Sequence, residues 1–102
     1  MQKPDYYTYP NHYGVMEPLI KKARAYACFS SPAFEQAWSK VIDAVERADF
    51  STAFEAASKA LALGPAIAMT PGEWAFSNFM FDLGNLAKEQ NAGTLRVIWV
   101  NA

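Results

Sequence analysis

The chain has 102 residues, 52% of them hydrophobic and 19% charged, and its nine basic and ten acidic side chains leave a net charge of −1. That composition argues for one globular domain and against a disordered chain. The near-cancelled charge removes the long-range field that would steer the chain to nucleic acid or to an anionic membrane.

The single cysteine, Cys28, excludes an intramolecular disulfide. With one histidine, His12, it also leaves too few ligands for a structural zinc site. No apolar run approaches the ~20 residues of a membrane-spanning helix. The N-terminal MQKPDYYTYP lacks the apolar stretch of a signal peptide, so a reducing cytoplasm is the expected setting. Lys21, Lys22 and Arg24 form the one basic cluster, which reads as a solvated helical face.

Residues 1–14 are polar and aromatic, and an extended segment is expected there. Asp5 to Tyr9 suits a strand with Tyr6 and Thr8 on one side and Tyr7 and Tyr9 on the other. Pro10-Asn11 reads as a turn. A first helix is expected from Glu17 to Phe29, started by Pro18, with Val15, Leu19, Ala23 and Tyr26 on one face. Ser31-Pro32 opens a second, to about Ala48, whose stripe is Phe34, Ala37, Trp38, Val41, Val45 and Ala48. Asp49 and Ser51 are alternative caps for a third, Thr52 to Leu63, with Ala53, Phe54, Ala57, Ala60 and Leu61 facing the core. Gly64-Pro65 stops it.

The stretch ERADFSTAFEAASKALALGP resembles the second half of a tetratricopeptide repeat, with Ala53, Ala60 and Pro65 where that pattern wants small, small and proline. Lys40 and Val41 stand where its first half has Leu-Gly, and no second copy follows. The resemblance implies a helical hairpin and carries no peptide binding with it.

Thr70 and Glu73 form a capping box for a fourth helix, which should reach Asn91 and stop at Gly93. Ala75, Phe76, Phe79, Met80, Leu83, Leu86 and Ala87 complete its core stripe. Trp74 and Phe81 fall nearly opposite, beside Ser77, Asn78, Asn85 and Lys88. The chain's own termini, a second copy or another protein would have to cover them. The end, TLRVIWVNA, reads as a strand whose two apolar faces should both be covered. Asp5–Tyr9 is its best partner within the chain.

The expected fold is therefore mainly α. Four helices form two helical hairpins, one of them tetratricopeptide-like, with a short terminal strand paired to the N-terminal segment or across a dimer. All 102 residues make one domain: the aromatic segment 1–14, a helical core 17–91 and the strand 94–100.

No reactive constellation stands out. The chain has no P-loop, dinucleotide fingerprint or HExxH. An enzyme would need Glu35, Asp43 or His12 to converge in space. The tyrosines could stack on bases, yet the basic groove of a single-strand binder is missing. The function expected is a non-catalytic protein-interaction domain: a small adaptor, inhibitor or subunit, a class that includes inhibitors carried by phages and plasmids. Its partner would be another protein or a second copy, with no cofactor, metal, nucleic acid or membrane. Trp74, Phe81, Tyr6, Tyr7, Tyr9 and Trp99 are the candidate contacts. The alternative is a small-molecule binder with a pocket lined by Phe34, Trp38, Phe76, Phe79, Met80 and Trp99.

Overall fold

The computed structural model describes residues 2–26, 32–63 and 71–101, and for Tyr26 and residues 71–76 the backbone alone. The elements run β1 (Gln2–Tyr9), β2 (His12–Val15), α1 (Met16–Tyr26), α2 (Pro32–Glu46), α3 (Phe50–Leu61), α4 (Pro71–Asn91) and β3 (Arg96–Asn101). The fold is mainly α with a small antiparallel sheet, in the order β2-β1-β3. No helix among the described residues is long and apolar enough to cross a membrane.

The N-terminal segment holds two strands where one was expected. Tyr9 pairs with His12, which leaves Pro10 and Asn11 as a two-residue turn. Asn11 has φ 68°, and Pro before such a residue is the combination a type II turn calls for. β2 is only four residues long and carries a glycine, so its sequence lacks an alternating pattern to announce it. Its existence corrects the expected start of α1. Val15 belongs to the sheet, and Met16, fully buried, takes the place expected for it on the core face beside Leu19 and Ala23.

β1 is the central strand and pairs with β3 on its other side, as the residue pattern suggested. A register shift lies at Asp5, between the pairs Pro4↔Trp99 and Tyr6↔Ile98. Such an extra residue flips the alternation. It lets Pro4 be buried while Tyr6, two positions on, faces away from the helices. β2 pairs only with Tyr6 to Tyr9, so at Pro4 β1 has a neighbour on one side alone, where proline is tolerated.

The core lies between the helices and one face of the sheet. Phe34 and Trp38 stack at 5.3 Å, and Phe79 meets Trp38 at 6.1 Å. The Trp38 indole N–H donates to the Ala23 carbonyl at 2.7 Å, which fixes α2 against α1. On α3, Phe50, Ala53, Ala57 and Ala60 are buried, while Phe54, expected in the core, is pushed to the edge of α4. Its ring lies against Gly84, where a Cβ would come within 3.2 Å of it. The cap of α2 (Ser31), the capping box at Thr70–Glu73 and Cys28 lie outside the described residues, as do the side chains of Ala75 and Phe76.

α2 and α4 end in the same way. Ala48 N–H reaches Val45 O and Asp49 N–H reaches Ala44 O; at α4, Gly93 bonds Gln90 O and Thr94 bonds Glu89 O. Both are Schellman motifs with a left-handed residue, Gly93 at φ 77° and Ala48 at φ 57°. Glycine makes the second readable from sequence; alanine hides the first.

α3 begins at Phe50, two residues before the expected Thr52. Asp49 is its N-cap and accepts from Thr52 N–H at 3.3 Å. The two N–H groups between them are satisfied from α4: Gln90 Oε1 accepts from Phe50 at 2.7 Å and from Ser51 at 3.1 Å. The Gln90 amide nitrogen donates to Ala48 O at 2.8 Å. With Asp49 N–H bonded to Ala44 O, every orphan donor of this helix start is paired. We expect Gln90→Ala to lower stability by about 2–4 kcal/mol, because partly buried backbone groups lose their partner. Ser51→Ala, which removes only an exposed side-chain bond to Asn91, should cost under about 0.5 kcal/mol. Urea titration of both variants checks the contrast.

Candidate functional site

Pairing register decides which side of the sheet each residue takes. Tyr7, Tyr9 and Val97 pack against the helical core. Their neighbours along the strands therefore point the other way. Across the three strands, Val15, Tyr6 and Ile98 form one row, and Tyr13, Thr8 and Arg96 form the next. Lys3 and Val100 pair at the end.

Among the described residues, no element covers this outer face. Tyr13 is 84% exposed, Val15 54% and Tyr6 39%, with Ile98 and Val100 half-buried beside them. Here the expectation that both faces of the last strand are covered fails. The described helices all lie in sequence between β2 and β3, and the core they build lies on one side of the sheet. The outer face thus presents an apolar centre with Lys3 and Arg96 at its two ends.

The six candidate contacts separate. Tyr6 lies on the open face. Tyr7 and Tyr9 turn inward, their rings parallel with centroids 6.4 Å apart. Tyr7 also meets the Phe50 ring edge-on at 6.0 Å, so these two tyrosines join sheet to helices. Trp99 follows Val97 on the helix side by alternation. It pairs with buried Pro4, yet stays 43% exposed at the rim of an edge strand. Phe81 is 71% exposed on the back of α4, and neither terminus covers it. The Trp74 side chain lies outside the described residues. Sequence reasoning missed Tyr13, Val15, Ile98 and Val100, because assigning them to one face needs the hairpin and the bulge.

The groups considered for chemistry do not converge. Glu35 and Asp43 are exposed on α2, with Asp43 paired to Arg47 at 3.2 Å. His12 tilts against Tyr9 at 5.1 Å, beside an open groove of about 440 Å³ lined by Tyr9, Pro10, His12, Asn85, Lys88 and Glu89. Neither Glu35 nor Asp43 reaches it. Among the described residues, no three His, Cys, Asp or Glu side chains are grouped to hold a metal ion. Phe34, Trp38 and Phe79, placed by sequence around a ligand pocket, are fully buried and fill one another's space.

The inward-facing Tyr7 fits over a glycine on the neighbouring strand. Gly14 stands opposite Tyr7, and a Cβ there would lie 2.4 Å from the Tyr7 hydroxyl and 2.5 Å from its ring. The ring therefore covers the glycine, an aromatic–glycine pairing across strands. Gly14→Ala should cost about 1–3 kcal/mol by overpacking, and less in a Tyr7→Leu background. Burial raises the Tyr7 hydroxyl above its ordinary value near 10, and Asp82 and Tyr9 push the same way. Below that value both folded and unfolded chains keep the proton. Above it the unfolded chain releases it first, so stability falls as pH rises beyond about 10. Urea midpoints measured between about pH 9 and 11 should fall less steeply for Tyr7→Phe than for the wild type. Comparison with protein-family models, curated proteins and solved structures finds no match.

Proposed function

We propose that this chain is a non-catalytic protein-interaction domain, a small adaptor, inhibitor or subunit that docks on a larger protein through the outer face of its sheet. One observation supports the reading above others: an apolar row, Val15–Tyr6–Ile98, stands uncovered beside the exposed ring of Tyr13. Tyrosines suit such a surface, since each offers a large rigid contact and a polar tip at little entropic cost. Lys3 and Arg96 at the two ends would favour a partner whose apolar centre is flanked by carboxylates. On this reading the helices are scaffold. The alanine-lined pairing of α2 and α3 acts as one tetratricopeptide-like hairpin, and α4 holds the sheet. Phe81 would serve as a secondary contact, because polar Asn78, Asp82 and Asn85 break up its surroundings.

The test places a photo-cross-linking phenylalanine derivative at position 13 and, as control, at exposed Lys40. In the expressing cell, one discrete protein should cross-link from position 13 and none from position 40. With that protein purified, Tyr6→Ala with Tyr13→Ala should weaken binding by more than about thirtyfold, the loss of a typical anchor pair, at unchanged melting temperature. Equal cross-linking from both positions, or unchanged affinity, sinks the proposal.

A further inference from the structure

The sheet has a second unfinished feature, independent of its outer face. β3 is an edge strand, since among the described residues only β1 borders it. Natural proteins blunt such edges with inward charges, prolines, bulges or a covering helix. Among the described residues β3 has none of these. Arg96–Asn101 reads RVIWVN, with its one charge at the first residue and no proline, and the register shift lies in β1. Trp99 sits on the helix side of this edge and is half-exposed, with no described element flanking it.

We propose that β3 pairs antiparallel with β3 of a second copy about a two-fold axis at Ile98, joining two sheets into one of six strands. Two arguments select a second copy as the occupant. First, an isologous pair consumes both bare edges at once, whereas a strand lent by another protein leaves that protein's far edge open. Only the four-residue β2 then remains at either rim. Second, the charges permit it. Opposed residues share a face, so an axis at Ile98 sets Arg96 against Val100 and Val97 against Trp99 of the second copy. No like charges meet, the half-exposed indole gains an aliphatic cover, and a net charge of −1 per chain opposes the approach little.

Sedimentation equilibrium of the full chain across a wide concentration series tests the pairing. The mass should rise to twice 11.3 kDa. Ile98→Lys and Ile98→Glu should each be monomeric with unchanged helical circular dichroism, and mixing them should restore the dimer, because the two side chains then face each other. Tyr13→Ala should dimerise like the wild type, which keeps this result separate from the outer-face proposal. A second approach is needed in case the charged variants do not fold. Ile98→Cys, with Cys28→Ser, should form a covalent dimer under a mild oxidant, and Tyr13→Cys should not. A wild type of 11.3 kDa at every concentration overturns the pairing. So does a dimer that survives in folded Ile98→Lys, or an Ile98→Cys variant that fails to cross-link.

Discussion

The side chain of Gln90 is the joint on which the layers of this protein depend. From α4 it accepts the first two N–H groups of α3 and donates to the Ala48 carbonyl at the corner before it. It thereby sets the angle at which the chain leaves α2 and enters α3. Phe50, the first residue of α3, is fully buried by that arrangement, and its ring edge meets Tyr7 in the central strand. Orientation passes from α4 through Gln90 to Phe50, then to Tyr7 and the sheet. Once Tyr7 faces inward, strand alternation obliges Tyr6 and Thr8 to face outward. The exposed surface is thus a consequence of helix packing on the far side.

Topology explains why none of the described elements returns to cover that surface. The first hairpin runs into α1 without a linker, Val15 being followed at once by Met16. At the other end, Gly93 turns the chain sharply out of α4, and the Thr94 hydroxyl donates to Glu89 O as β3 begins. Both connections are short, so the strands stay beside the helices they adjoin. The described helices all fall in the interval between the two connections, and the core they build lies on one side of the sheet. The result is a two-layer arrangement with one layer closed and the other open.

Much of this was legible in the residues. The period of α2 and α4, the glycine at position 93 and the alternation in RVIWVNA are local signals, and the elements they announce lie where expected. The division of the β1 tyrosines between two sides was also readable, because Asp5–Tyr9 alternates, but which side meets the helices was not, and Tyr6, Tyr7 and Tyr9 all read as contacts. What stayed hidden depends on distant partners. The early start of α3 rests on a glutamine 40 positions away. Ala48 takes a left-handed conformation that alanine does not advertise. Phe54 matches the helical period of α3, but α4 crosses at Gly84 and displaces it outward. The candidate surface suffers most from this, since its rows join residues from three strands separated by the whole helical layer.

The question of the misplaced aromatics on α4 changes in this light. Phe81 is bare, so the chain's described termini do not cover it. An isolated exposed phenylalanine is ordinary on a protein surface. Four apolar or aromatic side chains in adjoining rows are different, because water ordered over one is shared with the next and is released together when a partner arrives. A small domain has little stability to spare, and burying one such ring is worth roughly 2–3 kcal/mol. Rotating Tyr6, Val15 and Ile98 inward would require a one-residue slip of the register, which would expose Tyr7 and Val97 and open the core. The sheet therefore cannot hide both of its faces with one helical layer. The face it leaves open is the one that, on the proposed function, a partner would bury.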